Sequence, residues 1–150
     1  MKIENARYLV TFDTKGGEMT SFLDKETGLQ YLWQGDPAYW SGKNPSLFPM
    51  IGNTYTKDYE IDGKKYAMKN HGLIRYATLS VKEQTDTKFV MELNSNEETL
   101  AQYPFPFHYE IQYELEEDGR LVVSYLIENT SDTKQMPFTF GLHPGFNCPL

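Results

Sequence analysis

The chain has 150 residues and a formal charge of -7, set by 21 acidic against 14 basic residues, and its longest basic cluster is Lys64-Lys65. The phosphate-neutralising charge that drives nucleic-acid binding is therefore missing, and a neutral or weakly polar ligand suits the composition better. No apolar run approaches the roughly 18 residues of a membrane span, so no membrane partner is expected.

The length suffices for one domain with a buried core. Cys148 is the only cysteine, which excludes an internal disulfide, and the start MKIENARYLV has no apolar h-region of a signal peptide. A cytoplasmic protein is expected. Aromatic residues make up 15% of the chain, a share that suits sheets and, where exposed, sugar faces.

Taken in order, Arg7 to Phe12 is dense in strand formers, Lys15-Gly16-Gly17 signals a turn, and Met19 to Leu23 resumes in a hairpin. Lys25 to Gly28 forms the next turn, leading into Leu29 to Trp33 as a third short strand. From Gln34 to Asn53 the pattern dissolves into a loop punctuated by Pro37, Gly42, Pro45, Pro49 and Gly52. Long loops carrying large aromatics such as Tyr39, Trp40 and Phe48 carry function or cover a core edge.

Asp62-Gly63, between Tyr59-Ile61 and Lys65-Met68, is the strongest hairpin signal. A pair of strands follows, Thr78 to Glu83 and Lys88 to Asn94, turned at Thr85-Asp86. Ser95 to Tyr103 is the one credible helix, with Ser95 and Glu98 as a capping box and Pro104 as its stop. Beyond it Tyr109, Ile111, Tyr113 and Leu115 alternate with Glu110, Gln112, Glu114 and Glu116, giving one buried and one acidic face. Asp118-Gly119 turns this strand into Leu121 to Glu128. Many short strands with almost no helix argue an all-β fold, an antiparallel β-sandwich.

Three histidines are the candidates for chemistry. His108 falls on the acidic face of a strand, an ordinary surface position. His71 sits in the turn Asn70-His71-Gly72, where glycine lets a second backbone or a ligand come close. His143 follows the β-rich run Phe138-Thr139-Phe140 and precedes Pro144-Gly145, at a junction that is both fixed and reachable. No zinc spacing, calcium loop, nucleophile elbow or phosphate loop is present, so no metal and no cofactor is expected.

Three motifs in order, Leu47-Phe48-Pro49-Met50-Ile51-Gly52, Asn70-His71-Gly72-Leu73-Ile74-Arg75 and Pro137 to Phe146, resemble the aldose 1-epimerase (galactose mutarotase) family, nearest its LacX-like branch. The likeness runs over the whole chain and over the first half of a family member. It implies residues 1–150 as the N-terminal part of a single mutarotase-like β-supersandwich, one that interconverts the anomers of a free aldose, such as galactose or glucose, without a cofactor. On this likeness His143 is the acid that protonates the ring oxygen, a task suited to a group with an unperturbed pKa near 6.5. His71 hydrogen-bonds the same region. Asn53 stands where the family commonly has an arginine, and Arg75 is the expected partial substitute. The family's general base, a glutamate of the C-terminal half, lies beyond Leu150, so these residues alone are expected to be inactive or weakly active.

Two other readings stand beside it. One is a non-catalytic carbohydrate-binding domain in which Trp33, Trp40 or Phe146 stacks on sugar faces. The other is a β-domain that self-associates through exposed strand edges.

Overall fold

The computed structural model describes residues 1–148. Two antiparallel sheets face each other across the core. The first joins β1 (Lys2–Glu4), β2 (Tyr8–Phe12) and β3 (Met19–Asp24) in that order. The second has the order β10-β9-β8-β7, from β7 (Ser80–Gln84), β8 (Lys88–Asn94), β9 (Phe107–Leu115) and β10 (Leu121–Asn129). Phe12 stacks on Phe89 with ring centroids 4.8 Å apart and lies 4.6 Å from Tyr113, which locks one sheet on the other. The fold is all-β and antiparallel, as the short-strand pattern predicts.

β9 organises the core. Phe107, Tyr109, Ile111, Tyr113 and Leu115 are all buried while the residues between them are not. Burying each such side chain is worth about 1.5–3 kcal/mol against leaving it exposed. A one-residue slip would turn all of them to solvent and push Glu110 and Glu114 inward, so the alternation fixes register. The Gly16-Gly17 turn does more than reverse the chain: both glycines are buried, and the Tyr113 hydroxyl donates to the Gly17 carbonyl at 2.9 Å.

Two expected elements shift. Leu29 to Trp33 forms isolated bridges, Leu23 to Gln30 and Leu32 to Phe146, in place of a strand. The Gln30 side chain explains it, since its Oε1 accepts from the backbone N–H of Phe22 and of Leu32, where a ladder would otherwise run. The helix α1 spans Glu97–Gln102, with Asn96 as N-cap and Thr99 completing the capping box. Ser95 is not the cap because it still belongs to the sheet: its N–H donates to the Phe107 carbonyl, and its hydroxyl accepts from the Phe107 N–H.

The remaining pairs are small. β5 (Asp58–Ile61) and β6 (Lys64–Ala67) form the hairpin expected at Asp62-Gly63. β4 (Ser46–Leu47), inside the irregular loop, pairs with β11 (Gly141–Leu142). The β-rich run at Phe138 to Phe140 is thus not itself strand; pairing begins one residue later. Thr139 instead bonds the loop, its N–H donating to the Pro49 carbonyl and its hydroxyl accepting from the Ile51 N–H.

Candidate functional site

His143 follows β11 directly, at the strand end expected of it, though the strand gives way to irregular chain and not to a turn. Its segment is pinned on two sides. His143 N–H donates to the Pro45 carbonyl and Gly145 N–H to the Lys43 carbonyl; on the other side Trp33 N–H donates to Gly145, and Asn147 N–H to Tyr31. The loop carrying Pro45 is anchored in turn by Glu18, whose Oε1 accepts from the N–H groups of Lys43 and Asn44, both at 2.7 Å. The Trp40 ring meets His143 edge-on, with centroids 4.8 Å apart. A side chain at Gly42 or Gly145 would strike Trp40, within 2.6 Å and 2.9 Å respectively, so both must be glycine for the indole to stand there.

His71 comes from a different part of the chain. Gly72 has φ +83°, and a Cβ there would lie 2.2 Å from the Phe48 carbonyl oxygen. Only glycine permits that approach, through which Phe48 accepts from the Leu73 N–H at 2.7 Å. The next residues, Ile74–Tyr76, form a 3₁₀ turn whose Ile74 is fully buried. This docking carries His71 over the Phe48 loop with φ 67°, a left-handed conformation uncommon for a side-chain-bearing residue. Its backbone N–H donates to the Gly52 carbonyl at 2.7 Å, and its ring Nδ1 accepts from the Gly52 N–H at 3.0 Å.

The fold brings the two rings together. His71 and His143 lie 6.2 Å apart between centroids, with planes 24° from parallel. Burial first, then the charges of Arg75 and His143, hold the His71 pKa below its ordinary value.

The other candidates are placed differently. Arg75 is near enough for its charge to act on His71, and its guanidinium rests over the Tyr76 ring at 5.2 Å, as that of Arg7 rests over Tyr8 at 5.1 Å. Asn53 has its amide engaged: Nδ2 donates to the Met68 carbonyl and Oδ1 accepts from the Thr54 N–H, both at 2.8 Å. Phe146 is exposed in an apolar groove with Phe22, Val123, Tyr125, Leu142 and Pro144. Trp33 is tied by its indole N–H to the Trp40 carbonyl at 2.8 Å.

His108 departs from expectation. Its side chain is only 14% exposed, and it gathers with Glu92 and Glu110. Register explains this, since Glu92 pairs with Glu110 and Asn94 with His108 across β8 and β9. A bulge between Val81 and Glu83 aims Lys82 at the same spot, with its Nζ 2.6 Å from Glu110 and 3.8 Å from Glu92. An internal cation thus balances the carboxylates. Sequence spacing could not show the cluster, because three strands supply it.

The aldose 1-epimerase family profile matches residues 1–150. The chain belongs to the aldose 1-epimerase family. The plasmid-encoded and chromosomal LacX proteins of Lactococcus lactis subsp. lactis are 33% and 34% identical to it over its whole length, which spans 51% of theirs. A galactose mutarotase-like protein from Lactobacillus casei superposes with TM-score 0.93 at 34% identity, and a galactose mutarotase related enzyme from Lactobacillus acidophilus with 0.94 at 34%. All of this chain is covered in both, against 50% and 49% of those chains. This epimerase-family chain therefore spans about half the length of the relatives it matches, and its sheets are those of the galactose mutarotase-like supersandwich.

Proposed function

We propose that the chain supplies the acid-histidine part of a site that interconverts the anomers of a free aldose. The observation that carries this is the pairing of His71 and His143, drawn from separate parts of the chain and held by backbone contacts. In this reading His143 gives a proton to the sugar ring oxygen as the C1 hydroxyl loses its own. The ring opens, the aldehyde presents its other face, and reclosure returns the proton. His71 hydrogen-bonds the same region of the sugar, and Arg75 supplies positive charge nearby. The base that takes the C1 hydroxyl proton comes from outside these residues, so the chain alone gives little or no turnover. The cytoplasmic setting expected from the sequence goes with this reading.

Titration with galactose or glucose tests it, read by NMR. Shift changes centred on His71 and His143, lost in His143→Ala, are expected; changes that avoid both histidines would count against it. Polarimetry of freshly dissolved sugar should show no rate above background for the chain alone.

Stacking on an aromatic platform, the carbohydrate-binding alternative, draws less support. Trp40 is packed among His143, Gly42 and Gly145, and Trp33 is fixed to the Trp40 backbone. Self-association fits with either reading, through the β10 edge and the groove beside Phe146.

A further inference from the structure

The two histidines of the site are held in chemically different ways. A neutral imidazole has one N–H and one bare nitrogen, and whichever partner the bare nitrogen accepts from decides the tautomer. At His71 that partner is a backbone amide, the Gly52 N–H, 3.0 Å from Nδ1. An amide cannot reverse its role as a hydroxyl or a water can, so Nδ1 must stay bare and Nε2 must carry the hydrogen. The same two residues are joined a second time, by the His71 N–H donating to the Gly52 carbonyl at 2.7 Å. Gly52 itself sits at φ +75°, so its N–H and carbonyl both turn to His71 in a conformation side chains rarely adopt.

We propose that Gly52 is a positioning residue that locks His71 as a neutral donor through Nε2, so that proton transfer falls to His143. The division of labour rests on the sugar-anomer reading above; the lock itself does not. Protonating His71 would place two N–H groups head to head at Nδ1 and break the Gly52 bond. The surroundings oppose it as well. From the 3₁₀ turn Arg75, and from the end of β11 His143, are the charged and titratable groups that act on the ring, and a cation on either disfavours a second one. A ring fixed in this way offers a sugar oxygen a hydrogen of constant direction through the neutral range. The donor would then not switch to an acceptor as His143 cycles between its two forms.

Long-range proton–nitrogen correlation spectra of the nitrogen-15-labelled protein test the lock without any sugar. The His71 signals should show pyridine-type Nδ1 and pyrrole-type Nε2, with a coupling across the hydrogen bond from the Gly52 amide to Nδ1. Its titration midpoint should fall below that of an ordinary histidine. His71→Gln assigns the signals by their loss; since the chain has three histidines, His108→Gln and His143→Gln assign them by elimination if that variant fails to fold. A pyrrole-type Nδ1, or a midpoint at or above the ordinary value, overturns the proposal. Failure to bind galactose would count against the anomer reading and leave these spectra unchanged.

Discussion

Two single residues test how the site is supported. Gly72 lets the His71 turn close on the Phe48 carbonyl, and a Cβ there meets that oxygen at 2.2 Å in a backbone conformation that itself disfavours side chains. Gly72→Ala should therefore cost about 3 kcal/mol, seen as a lower urea midpoint, and should displace His71 with it. A variant as stable as the parent would show that the turn need not approach the loop. Tyr109 presents the opposite case. It is fully buried in β9, and among the described residues its hydroxyl makes no well-formed hydrogen bond, although Ser46 is near. Burial pushes its pKa well up. An unsatisfied buried hydroxyl is a cost, so Tyr109→Phe should leave stability unchanged or raise it by up to about 1 kcal/mol in the same urea titration. A clear loss would mean that the hydroxyl has a partner in solution.

At the scale of elements, the outer face of the four-stranded sheet stores a pH response. The hydrogen bond from Lys82, outweighing the burial that opposes it, holds the Glu110 carboxyl below the usual glutamate range, with the charges of Lys82 and His108 adding to it. A carboxyl lowered on folding contributes stability above its unfolded pKa, and that contribution is lost as pH falls through the folded value. Lys82→Met should thus melt lower than the parent near neutrality, with the two curves converging as pH falls below the usual glutamate range. Parallel curves across that range would remove the link. This cluster also marks the limit of what one sequence discloses. β9 and the Asp62-Gly63 hairpin are legible because alternation and turn chemistry are local. His108 was not, because its neighbours arrive through the register of β8 on β9 and a bulge in β7. The helix start moved for a similar reason, as Ser95 was claimed by Phe107 across the sheet. Family likeness singled out the two histidine motifs, and the fold brings their rings within 6.2 Å. The hold of Gly52 on His71 was not legible, since a backbone amide leaves no side-chain pattern to find.

For the whole molecule, the decisive fact is a sandwich matching about half the length of its relatives, with both edges of its larger sheet lacking a further strand partner among the described residues. The two edge strands of the larger sheet differ. β7 is exposed throughout and carries Lys82 in a bulge beside Glu83, features that discourage pairing with another chain. β10 has no comparable protection. It runs for nine residues, and Leu121, Val123 and Tyr125 of its inner face continue into a groove of about 350 Å³ with Phe22, Leu142 and Phe146. Leu142 is 50% exposed and Phe146 62%, so the groove offers apolar surface next to unpaired backbone. Burying such surface drives association. The chain alone should therefore form dimers or larger species, visible as a concentration-dependent sedimentation coefficient. Leu142→Ser with Phe146→Ser should weaken that association about tenfold, the equivalent of about 1.4 kcal/mol, with little change in melting temperature because both side chains are already half exposed or more. Galactose should not alter the effect, since residues 142, 144 and 146 line the groove whereas His143 meets Trp40 and His71. A chain that stays monomeric at high concentration would show that the β10 edge is protected in some other way.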